Sequence, residues 1–335
     1  MTTISSKHFS AFRAGLPSMD GKTVVITGTT SGTGKIAANT VAELGAKVLT
    51  LNRASDRSTA TLVELSAAHP DADLHAVECD LQSFDSVRAA AAQVATLCPE
   101  GVDVLANNAG VMALADTATV DGYDIQMQTN HLSHFLLTRE LMPLLERAAD
   151  THGEARIVNH SSIARMAPSK ELHAEHLGKN GGNLGGDGST IQNMMFTGPR
   201  WLRYNQTKLA NAAFTAALHR RLQVNGSKVK ALVAHPGLAN THLQQTSVAE
   251  GGMGSLFTNI MMRFSQSPED GTIGLLSCMC LPDAQSGQFY GPGSSTTAIR
   301  GKAEPFALES FYDNDATREL LWNKSETAIG ASFDI

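Results

Sequence analysis

The segment at residues 23–34 constrains the fold of this chain more than any other. It opens with an apolar run at residues 24–26, whose length and β-branched side chains predict a buried parallel strand. Three glycines follow in the spacing Gly-x-x-x-Gly-x-Gly, and a helical pattern of apolar residues then runs over 35–45. Such a strand, turn and helix N-terminus form a binding site for a pyrophosphate, because free backbone N–H groups and the helix dipole favour negative charge. Taken alone, the glycines also fit a purely structural turn.

Strand and helix patterns alternate along the rest of the chain. Further strands are predicted at 47–52, 74–80, 102–106, 156–161 and 229–235, and helices at 57–68, 83–98 and 121–147. This alternation is typical of right-handed βαβ units, so we predict an α/β fold: a single-domain, Rossmann-type, doubly wound parallel sheet with helices on both faces. The sequence has no internal repeat and no linker, so we expect one domain over residues 1–335, with a polar lead-in over 1–21.

Composition argues against several other classes of protein. The chain has 335 residues, a net charge of −6 and four cysteines without Cys-x-x-Cys spacing. The negative charge argues against a general nucleic-acid surface, and the sparse cysteines predict reduced thiols in a cytosol-like compartment. No apolar run reaches the roughly 18–20 residues that span a bilayer, and residues 1–10 lack the apolar h-region that a signal peptide contains. We therefore predict a cytoplasmic protein without a transmembrane segment, for which a peripheral membrane contact through an apolar loop stays open.

Two long connections depart from the alternation. Residues 163–203 include a Gly- and Asn-rich stretch over 178–188, which predicts a mobile insertion because it offers little apolar surface to bury. Residues 238–266 mix Gly, Met and Phe, and an adaptable apolar loop after a sheet strand predicts a substrate lid. Simple packing of residues 238–266 onto the domain is the alternative.

Polar residues at the carboxyl ends of the predicted strands form the candidate cofactor site, because ligands of such sheets bind at that edge. Asn52 and Arg53 end the second strand, where a carboxylate would favour NAD. A neutral residue followed by a guanidinium suits the 2′-phosphate of NADP, so we predict NADP(H) rather than NAD(H). The alternative for Arg53 is an ordinary surface charge. Asp80, at the end of the third strand, is predicted either to accept from the adenine amino group or to cap the next helix.

The most informative pentapeptide is Tyr204-Asn-Gln-Thr-Lys208. Tyr204 and Lys208 lie on one face of a helix, four residues apart. A phenol has a pKa of about 10, and an ammonium group close by can lower it toward neutrality, as general acid–base work requires. Ser162, after the fifth strand, can donate to the same carbonyl oxygen, and Asn130 is unfavourable in a helix unless its side chain is used. A Tyr-x-x-x-Lys pattern alone is also common on solvated helix faces.

Taken together, these motifs resemble those of the classical short-chain dehydrogenases/reductases. The matching residues occur in the family's order and span roughly residues 20–290. They are Thr27-Gly-x-x-x-Gly-x-Gly34, Asp80-Leu81, Asn107-Asn-Ala-Gly110, Asn130, Ser162, Tyr204-x-x-x-Lys208 and Pro236-Gly-x-x-x-Thr241. The resemblance implies an oxidoreductase that transfers a hydride between a nicotinamide cofactor and a small-molecule carbonyl/alcohol substrate.

The resemblance also implies a role for each matching residue. Tyr204 would be the proton donor, and Ser162 would hold and polarise the substrate oxygen. Lys208 would bind the nicotinamide ribose and lower the tyrosine pKa, Asn130 would support a water-linked proton relay, and Thr241 would contact the nicotinamide amide. The full set of implied cofactor-binding residues is Gly28, Thr30, Ser31, Gly32, Thr33, Gly34, Asn52, Arg53, Asp80, Leu81, Asn108, Ala109, Gly110, Tyr204, Lys208, Pro236, Gly237 and Thr241.

Within the family, the chain is most similar to the retinol-dehydrogenase-like and WW-domain-oxidoreductase-like branch, at residues 130–135, 204–211, 289–293 and 315–326. That similarity implies a hydrophobic aldehyde or ketone as substrate. The long separation between Ser162 and Tyr204 also resembles light-dependent protochlorophyllide reductases. A double-bond reductase is therefore one alternative, and a non-catalytic NADP-binding sensor or scaffold is another. Family members often pair through their long helices, which implies a homo-oligomer.

His173 and His176 have the i, i+3 spacing of metal ligands, with Glu171 and Glu175 nearby. The sequence supplies no convincing third ligand, so a solvated helix face is the preferred interpretation and no metal site is predicted.

Overall fold

The computed structural model describes residues 4–167, 169–239, 252, 265–293 and 298–335. These residues form an eight-stranded sheet with the order β3-β2-β1-β4-β5-β6-β7-β8, in which β8 alone pairs antiparallel with its neighbour. The strands are β1 (Thr23–Thr27), β2 (Lys47–Asn52), β3 (Leu74–Glu78), β4 (Val104–Asn107), β5 (Ala155–His160), β6 (Val229–Ala234), β7 (Gln288–Pro292) and β8 (Ala303–Ala307). The predicted Rossmann-type parallel sheet is confirmed.

Strands β7 and β8 extend the sheet beyond the six strands that the sequence predicts. β7 ends in Gly291 and Pro292, and β8 contains Pro305, residues that weaken a strand pattern. Proline is tolerated in β8 because this strand lies at the edge of the sheet. The pairing of these strands therefore depends on tertiary contacts more than on local sequence.

Helices connect the strands and cover both faces of the sheet. They are α1 (Phe9–Ala14), α2 (Gly32–Glu43), α3 (Asp56–Ala68), α4 (Phe84–Leu97), α5 (Ile125–Met127), α6 (Ser133–His152), α7 (Thr190–Met194), α8 (Pro199–Val224), α9 (Pro268–Cys280) and α10 (Asp315–Ile329). A π-helical turn, Gln128–Leu132, joins α5 to α6 where the sequence predicts one continuous helix. Residues 163–203 contain two 3₁₀ turns, Ile163–Met166 and Ala174–Leu177, together with α7 and the start of α8.

Two apolar layers enclose the sheet. In β1, Val25 packs into the layer formed with α4, α6 and α8, whereas Val24 and Ile26 pack into the layer formed with α2 and α9. Side chains of a strand alternate between its two faces, so successive residues reach different layers. Because both faces are covered, β1 appears in the sequence as a continuous apolar run.

The helix α10 packs across α6 and α8. The ring centroid of Trp322 lies 5.1 Å from that of Phe135 in α6 and 6.2 Å from that of Phe214 in α8. Phe333 stacks on Trp322 at 5.1 Å. Aromatic pairs in these geometries stabilise a core beyond the area that they bury. The C-terminal part of the chain is therefore part of the main core.

The sheet opens a crevice between β1 and β4. These strands are neighbours, and the chain leaves β1 toward the α2 layer but leaves β4 toward the α6 layer. The carboxyl ends of strands at such a switch point are where ligands bind in this class of sheet. Residues 28–34 and 108–111 lie at this edge.

Histidines in this core are held neutral. Burial lowers the pKa of His131, His160 and His235 to about 3 and that of His134 to about 4. The unfolded chain binds protons at these groups below about pH 6.5, whereas the folded chain does not. Each such histidine therefore lowers the free energy of unfolding by about 1.4 kcal/mol for each pH unit below 6.5. Buried Asp124, whose pKa burial raises to about 6, acts in the opposite direction.

We expect the urea midpoint to fall as the pH is lowered from 7.5 to 5.5, with an unchanged m-value. His131→Gln should make this dependence shallower, because glutamine does not titrate and can still bond to Ser325 Oγ, which lies 2.9 Å from His131 Nε2. His69→Gln, at a half-buried histidine on the end of α3, is the control. Equal pH dependences for the native protein and His131→Gln would contradict this account.

Candidate active site

The glycine-rich turn after β1 packs directly against the end of β4. Gly28 has a left-handed φ of +73°, and a Cβ atom there would lie 2.8 Å from Ala109 Cα. A Cβ atom on Gly34 would overlap with Gly28 O and Asn108 Nδ2. Only glycine fits this approach of two backbone segments. The turn is thus a compact cradle rather than an open loop.

Asn108 and Thr27 hold the cradle in place. Asn108 Nδ2 donates to Thr27 O at 2.9 Å and to Gly28 O at 3.1 Å, while Thr33 Oγ1 donates to Asn108 Oδ1 at 2.9 Å. Thr27 Oγ1 accepts from the N–H groups of Asn108 and Ala109, both at 3.0 Å. The predicted cofactor residues of β1 and β4 are therefore brought together in one hydrogen-bonded cluster.

The start of α2 is suited to an anion. Ser31 is its N-cap residue, and its side chain makes no capping hydrogen bond. Gly32, Thr33 and Gly34 form the first helical turn. Backbone N–H groups at such a helix start lack intrahelical acceptors, so they can bind phosphate oxygens. Thr30 and Ser31 are half-buried at the edge of this turn.

The end of β2 touches the same turn. Asn52 Oδ1 accepts from Thr29 N, and Asn52 Nδ2 donates to Thr29 Oγ1, both at 2.8 Å. Arg53, the next residue, is exposed. This pair of hydrogen bonds fixes the side chain of Asn52, so Arg53 follows a rigid residue at the rim of the crevice.

Asp80 does not cap the following helix. Ser83 is the N-cap of α4, and its hydroxyl accepts from Ser86 N, whereas Asp80 Oδ1 accepts from Gln82 N at 3.0 Å. The helix-cap alternative for Asp80 is therefore wrong, and its contact with adenine stays a prediction. Leu81 is buried, and its carbonyl accepts from Ser133 Oγ at 2.7 Å.

The polar residues of the predicted catalytic set come together at the end of β5. Tyr204 and Lys208 lie one turn apart on α8, and a hydrogen bond joins the side chains of Tyr204 and Ser162. Lys208 Nζ donates to His160 O at 3.0 Å and lies 5.8 Å from the centre of the Tyr204 ring. The structure thus brings a phenol, a hydroxyl and an ammonium group into one buried cluster.

Asn130 lies in the π-helical turn between α5 and α6. Its Oδ1 accepts from Val111 N at 2.7 Å, and its Nδ2 donates to Val111 O and to Thr207 Oγ1, both at 2.9 Å. A Cβ atom on Gly110 would lie 3.2 Å from Asn130 Oδ1 and 3.4 Å from Lys208 Nζ. The side chain of Asn130 therefore ties the segment after β4 to α8, and a glycine allows the close approach.

His134 is a residue of this site that the sequence analysis missed. Its Nδ1 lies 3.0 Å from Asn130 O and its Nε2 lies 2.9 Å from Thr27 Oγ1. A carbonyl only accepts, so the hydrogen-bond network assigns the proton to Nδ1 and makes Nε2 the acceptor of the Thr27 hydroxyl. His134 thus connects Asn130 to the glycine-rich cradle. The position of His134 four residues after Asn130 is the sequence feature that could have indicated its contact with Asn130.

The pKa of Tyr204 differs from the sequence-based expectation. Burial raises the pKa of Tyr204 to about 12, and the hydrogen bond with Ser162 opposes this rise. Burial also lowers the pKa of Lys208 to about 8. The predicted depression by Lys208 is wrong, because the loss of hydration at the buried phenol is the largest effect on the pKa of Tyr204 and raises it. Tyr204 is therefore held in its neutral form.

The last predicted cofactor segment follows β6. Gly237 has a φ of +62°, and its N–H donates to His235 Nδ1 at 3.1 Å. Pro236 precedes it, with its carbonyl accepting from Gln266 Nε2 at 2.7 Å. Thr241 lies outside the described residues, as does most of the predicted lid at 238–266.

The insertion at 163–203 is tied to this site by Arg203, whose role the sequence did not indicate. Arg203 is fully buried, and its Nη1 donates to Leu184 O at 2.9 Å and to Gly186 O at 2.7 Å. Its Nε lies 3.2 Å from Asp124 Oδ2. A buried guanidinium needs such partners, so the Gly-rich stretch packs around it. From the sequence alone, Arg203 would be assigned to the surface, because the partners that allow its burial are distant in the chain.

His173 and His176 lie at the 3₁₀ turn Ala174–Leu177. The rings of His173 and His176 are 6.3 Å apart, and within the described ranges no group of three or more His, Cys, Asp or Glu side chains is arranged to hold a metal ion. In the described part of the chain, no helix combines the length and the apolar character needed to cross a membrane.

Comparison with known proteins agrees with the geometry. A family model described as short chain dehydrogenase matches residues 22–174. Retinol dehydrogenase 14 of Mus musculus is 32% identical over 324 residues, which cover 93% of this chain and 87% of that protein. The chain belongs to the short-chain dehydrogenase/reductase family.

Two further proteins are similar to this chain over most of its length. Retinol dehydrogenase 13 of Homo sapiens is 34% identical over 251 residues, covering 74% of this chain and 69% of that protein. The crystal structure of an uncharacterised protein from Mycobacterium paratuberculosis matches with a TM-score of 0.73 and 31% identity, over 99% of this chain and 100% of the other. This short-chain dehydrogenase/reductase is therefore of the retinol-dehydrogenase-like branch, and it is an oxidoreductase acting on CH–OH or C=O groups with NAD(P).

Gly34→Ala should abolish dinucleotide binding by this short-chain dehydrogenase/reductase, because the new Cβ atom would overlap with Gly28 O and Asn108 Nδ2. We expect a loss of at least about a hundredfold in NADPH affinity, measured by the fluorescence of the bound nicotinamide. Gly178→Ala, where the nearest atom to the new Cβ atom is 3.7 Å away, is the matched control. Normal NADPH binding by Gly34→Ala would refute the cradle assignment.

Proposed function

We propose that this protein is an NADP(H)-dependent reductase of hydrophobic aldehydes or ketones. The observation that carries the proposal is the buried cluster of Tyr204, Ser162 and Lys208, with Tyr204 hydrogen-bonded to Ser162 beside the glycine-rich cradle. When the carbon of an aldehyde or ketone accepts a hydride, its oxygen gains negative charge, which hydrogen-bond donors stabilise, and then takes up a proton. The phenol of Tyr204 can supply a hydrogen bond and the proton, and the hydroxyl of Ser162 a second hydrogen bond.

The residues around the crevice fit a dinucleotide. Gly28 and Gly34 leave no room for side chains, and the first turn of α2 offers N–H groups to the pyrophosphate. Arg53, exposed beside the fixed side chain of Asn52, supports a 2′-phosphate and thus NADP(H). In our proposal the further cofactor contacts come from Asp80, Leu81, Asn108, Ala109, Gly110, Pro236, Gly237 and Thr241. The dinucleotide, when bound, supplies the hydride.

The protonation state of the site supports reduction as the working direction. A pKa of about 12 keeps Tyr204 protonated at neutral pH, which a proton donor needs and a base does not. In our proposal the Tyr204 hydroxyl gives its proton to the carbonyl oxygen, while Ser162 donates a hydrogen bond to the same atom. The alcohol then leaves, and Tyr204 must be protonated again.

Lys208 and Asn130 are the groups that we assign to this second step. Lys208 carries three N–H donors, one of which is used on His160 O. Asn130 lies in the π-helical turn, and its carbonyl oxygen accepts from His134 Nδ1 at 3.0 Å. We infer that Lys208 delivers the proton to Tyr204 and that the Asn130 segment holds the path toward solvent through water.

Tyr204→Phe should lower NADPH-dependent carbonyl reduction by at least about a hundredfold without loss of NADPH binding, because the proton donor is removed. Tyr290→Phe, which removes a hydroxyl on β7 that donates to Gln288 Oε1 at 3.1 Å, is the control and should retain activity. Consumption of NADPH can be followed by absorbance against a panel of aldehydes, ketones and quinones. Full turnover by Tyr204→Phe would refute the assignment.

The pH profile separately tests Lys208. Burial lowers the pKa of Lys208 to about 8, so the ammonium is present below that pH and lost above it. We expect reduction to decline as the pH rises through about 8. Lys208→Arg should lower turnover and remove this decline, because a guanidinium keeps its proton and cannot pass it to Tyr204. A decline at the same pH in both proteins would show that another group controls it.

Cofactor choice can be tested at the rim of the crevice. Arg53→Ala should weaken NADPH binding by about ten- to a hundredfold and leave NADH binding nearly unchanged, because only NADPH has the 2′-phosphate. Arg57→Ala, another exposed arginine just beyond β2, is the matched control. Equal losses for the two cofactors, or none, would exclude a role for Arg53 in the choice.

A further inference from the structure

Arg165 is a buried cation near the end of β5 to which the proposed reaction assigns no step. It lies in the 3₁₀ turn Ile163–Met166, directly after Ser162, and its side chain is fully buried. Removing a guanidinium from water is costly unless hydrogen bonds and an opposite charge replace the lost hydration. The groups that contact Arg165 therefore indicate what its burial achieves.

Strands β7 and β8 supply the surface on which the guanidinium lies. Arg165 Cζ is 4.3 Å from the centre of the Phe289 ring in β7 and 5.9 Å from that of the Phe306 ring in β8. These two rings stack, with centroids 4.7 Å apart and an interplanar angle of 14°. Arg165 Nε donates to Oε2 of Glu309, two residues after β8, at 2.7 Å. Aromatic faces and a carboxylate both attract a cation, so the antiparallel end of the sheet holds Arg165 firmly.

Another nitrogen of the same guanidinium holds the backbone of Ser162. Arg165 Nη1 donates to Ser162 O at 3.1 Å, and the backbone N–H of Arg165 donates to the same oxygen at 3.2 Å. The Ser162 carbonyl thus accepts two hydrogen bonds from one residue. Because Nε and Nη1 are fixed in one plane, the side chain joins Glu309 to Ser162 with a defined geometry.

The turn that Arg165 fixes also determines where the Ser162 hydroxyl lies. Ser162 is the N-cap residue of this turn, and its Oγ accepts from Ala164 N at 3.2 Å. The side chain of Ser162 is also hydrogen-bonded to that of Tyr204. A displacement of the turn would therefore move the Ser162 hydroxyl relative to Tyr204.

We propose that Arg165 is a positioning residue, which holds the turn after β5 against β7 and β8 so that the Ser162 hydroxyl stays beside Tyr204. This inference rests on the proposed reductase function, in which Ser162 and Tyr204 act on one substrate oxygen. Arg165 acts on the reaction through Ser162. An arginine suits this position because its planar group can lie over an aromatic face and donate in two directions at once.

A double-mutant cycle tests whether Arg165 acts through Ser162. With NADPH and the aldehyde that the native protein reduces fastest, Arg165→Met should lower kcat by about ten- to a hundredfold, because the hydroxyl is misplaced. In the Ser162→Ala background the same change should lower kcat by less than about twofold, because two residues that act through one group are not additive. Equal losses in the two backgrounds would overturn the proposal.

Arg156→Met is the matched control for the loss of a buried arginine. Arg156 lies near the start of β5, where its Nε donates to Glu154 Oε1 at 2.7 Å and its Nη1 to Cys278 O at 3.0 Å. This guanidinium also joins a carboxylate to a backbone carbonyl, so its removal should lower the urea midpoint as Arg165→Met does, with kcat retained. Equal losses of kcat in the two variants would show a general effect of destabilisation and would contradict a positioning role.

Amide hydrogen exchange tests the positioning without turnover. The N–H groups of Ala164 and Arg165 both bond to Ser162, so Arg165→Met should accelerate exchange over residues 161–167 by at least about tenfold. Exchange over residues 23–34, in the glycine-rich cradle, should not change. Arg156→Met should alter neither segment.

The two measurements separate the positioning role from the reductase function. Unchanged exchange over 161–167 in Arg165→Met would overturn the role of Arg165, whatever the activity. A native protein that reduces no carbonyl compound, together with accelerated exchange in Arg165→Met, would overturn the reductase function and retain Arg165 as the residue that orders the turn of Ser162.

Discussion

The site depends on the hydrogen-bonded junction between β1 and β4. Thr27 Oγ1 accepts from two consecutive N–H groups after β4, and Asn108 reaches back to the carbonyls of Thr27 and Gly28. These bonds keep two parallel strands together at the point where the chain leaves them in opposite directions. The same Thr27 hydroxyl donates to His134, and His134 in turn bonds to Asn130 O. One threonine thus links the glycine-rich cradle to the π-helical turn that holds Asn130.

Electrostatics of the cluster follow from burial more than from pairing. Lys208 lies among neutral groups, since burial keeps His134 and His160 unprotonated, and its own pKa is lowered for the same reason. The phenol of Tyr204 is affected in the opposite sense, because its charged form is the anion. Burial therefore moves the pKa values of Tyr204 and Lys208 apart. An acid that keeps its proton and an ammonium that readily gives one up form a suitable pair for proton transfer toward a substrate oxygen.

The sequence predicts the sheet and much of the site because both depend on local patterns. β1 is recognisable because burial on both faces demands a continuous apolar run. The glycines are recognisable because a side chain at position 28 would collide with Ala109. Asn130 could be singled out because asparagine is unfavourable in a helix, although the π-helical turn that accommodates it could not be foreseen.

Features that depend on distant partners could not be predicted. β8 contains Pro305 and acquires its strand geometry from pairing with β7. Arg203 has the sequence context of a surface residue, and its burial depends on carbonyls of the Gly-rich stretch and on Asp124. The direction of the Tyr204 pKa was missed for a similar reason, because the burial that raises this pKa is a tertiary property.

The packing of α10 limits which parts of the protein can reach their final packing early in synthesis. Trp322 and Phe333 cover α6 and α8, although they follow Tyr204 and Lys208 by a long stretch of chain. The strands and turn of the glycine-rich cradle leave the ribosome early, whereas the aromatic layer behind α8 is available only near the end of translation. A nascent chain can therefore build its glycine-rich cradle well before α8 has its full set of packing partners.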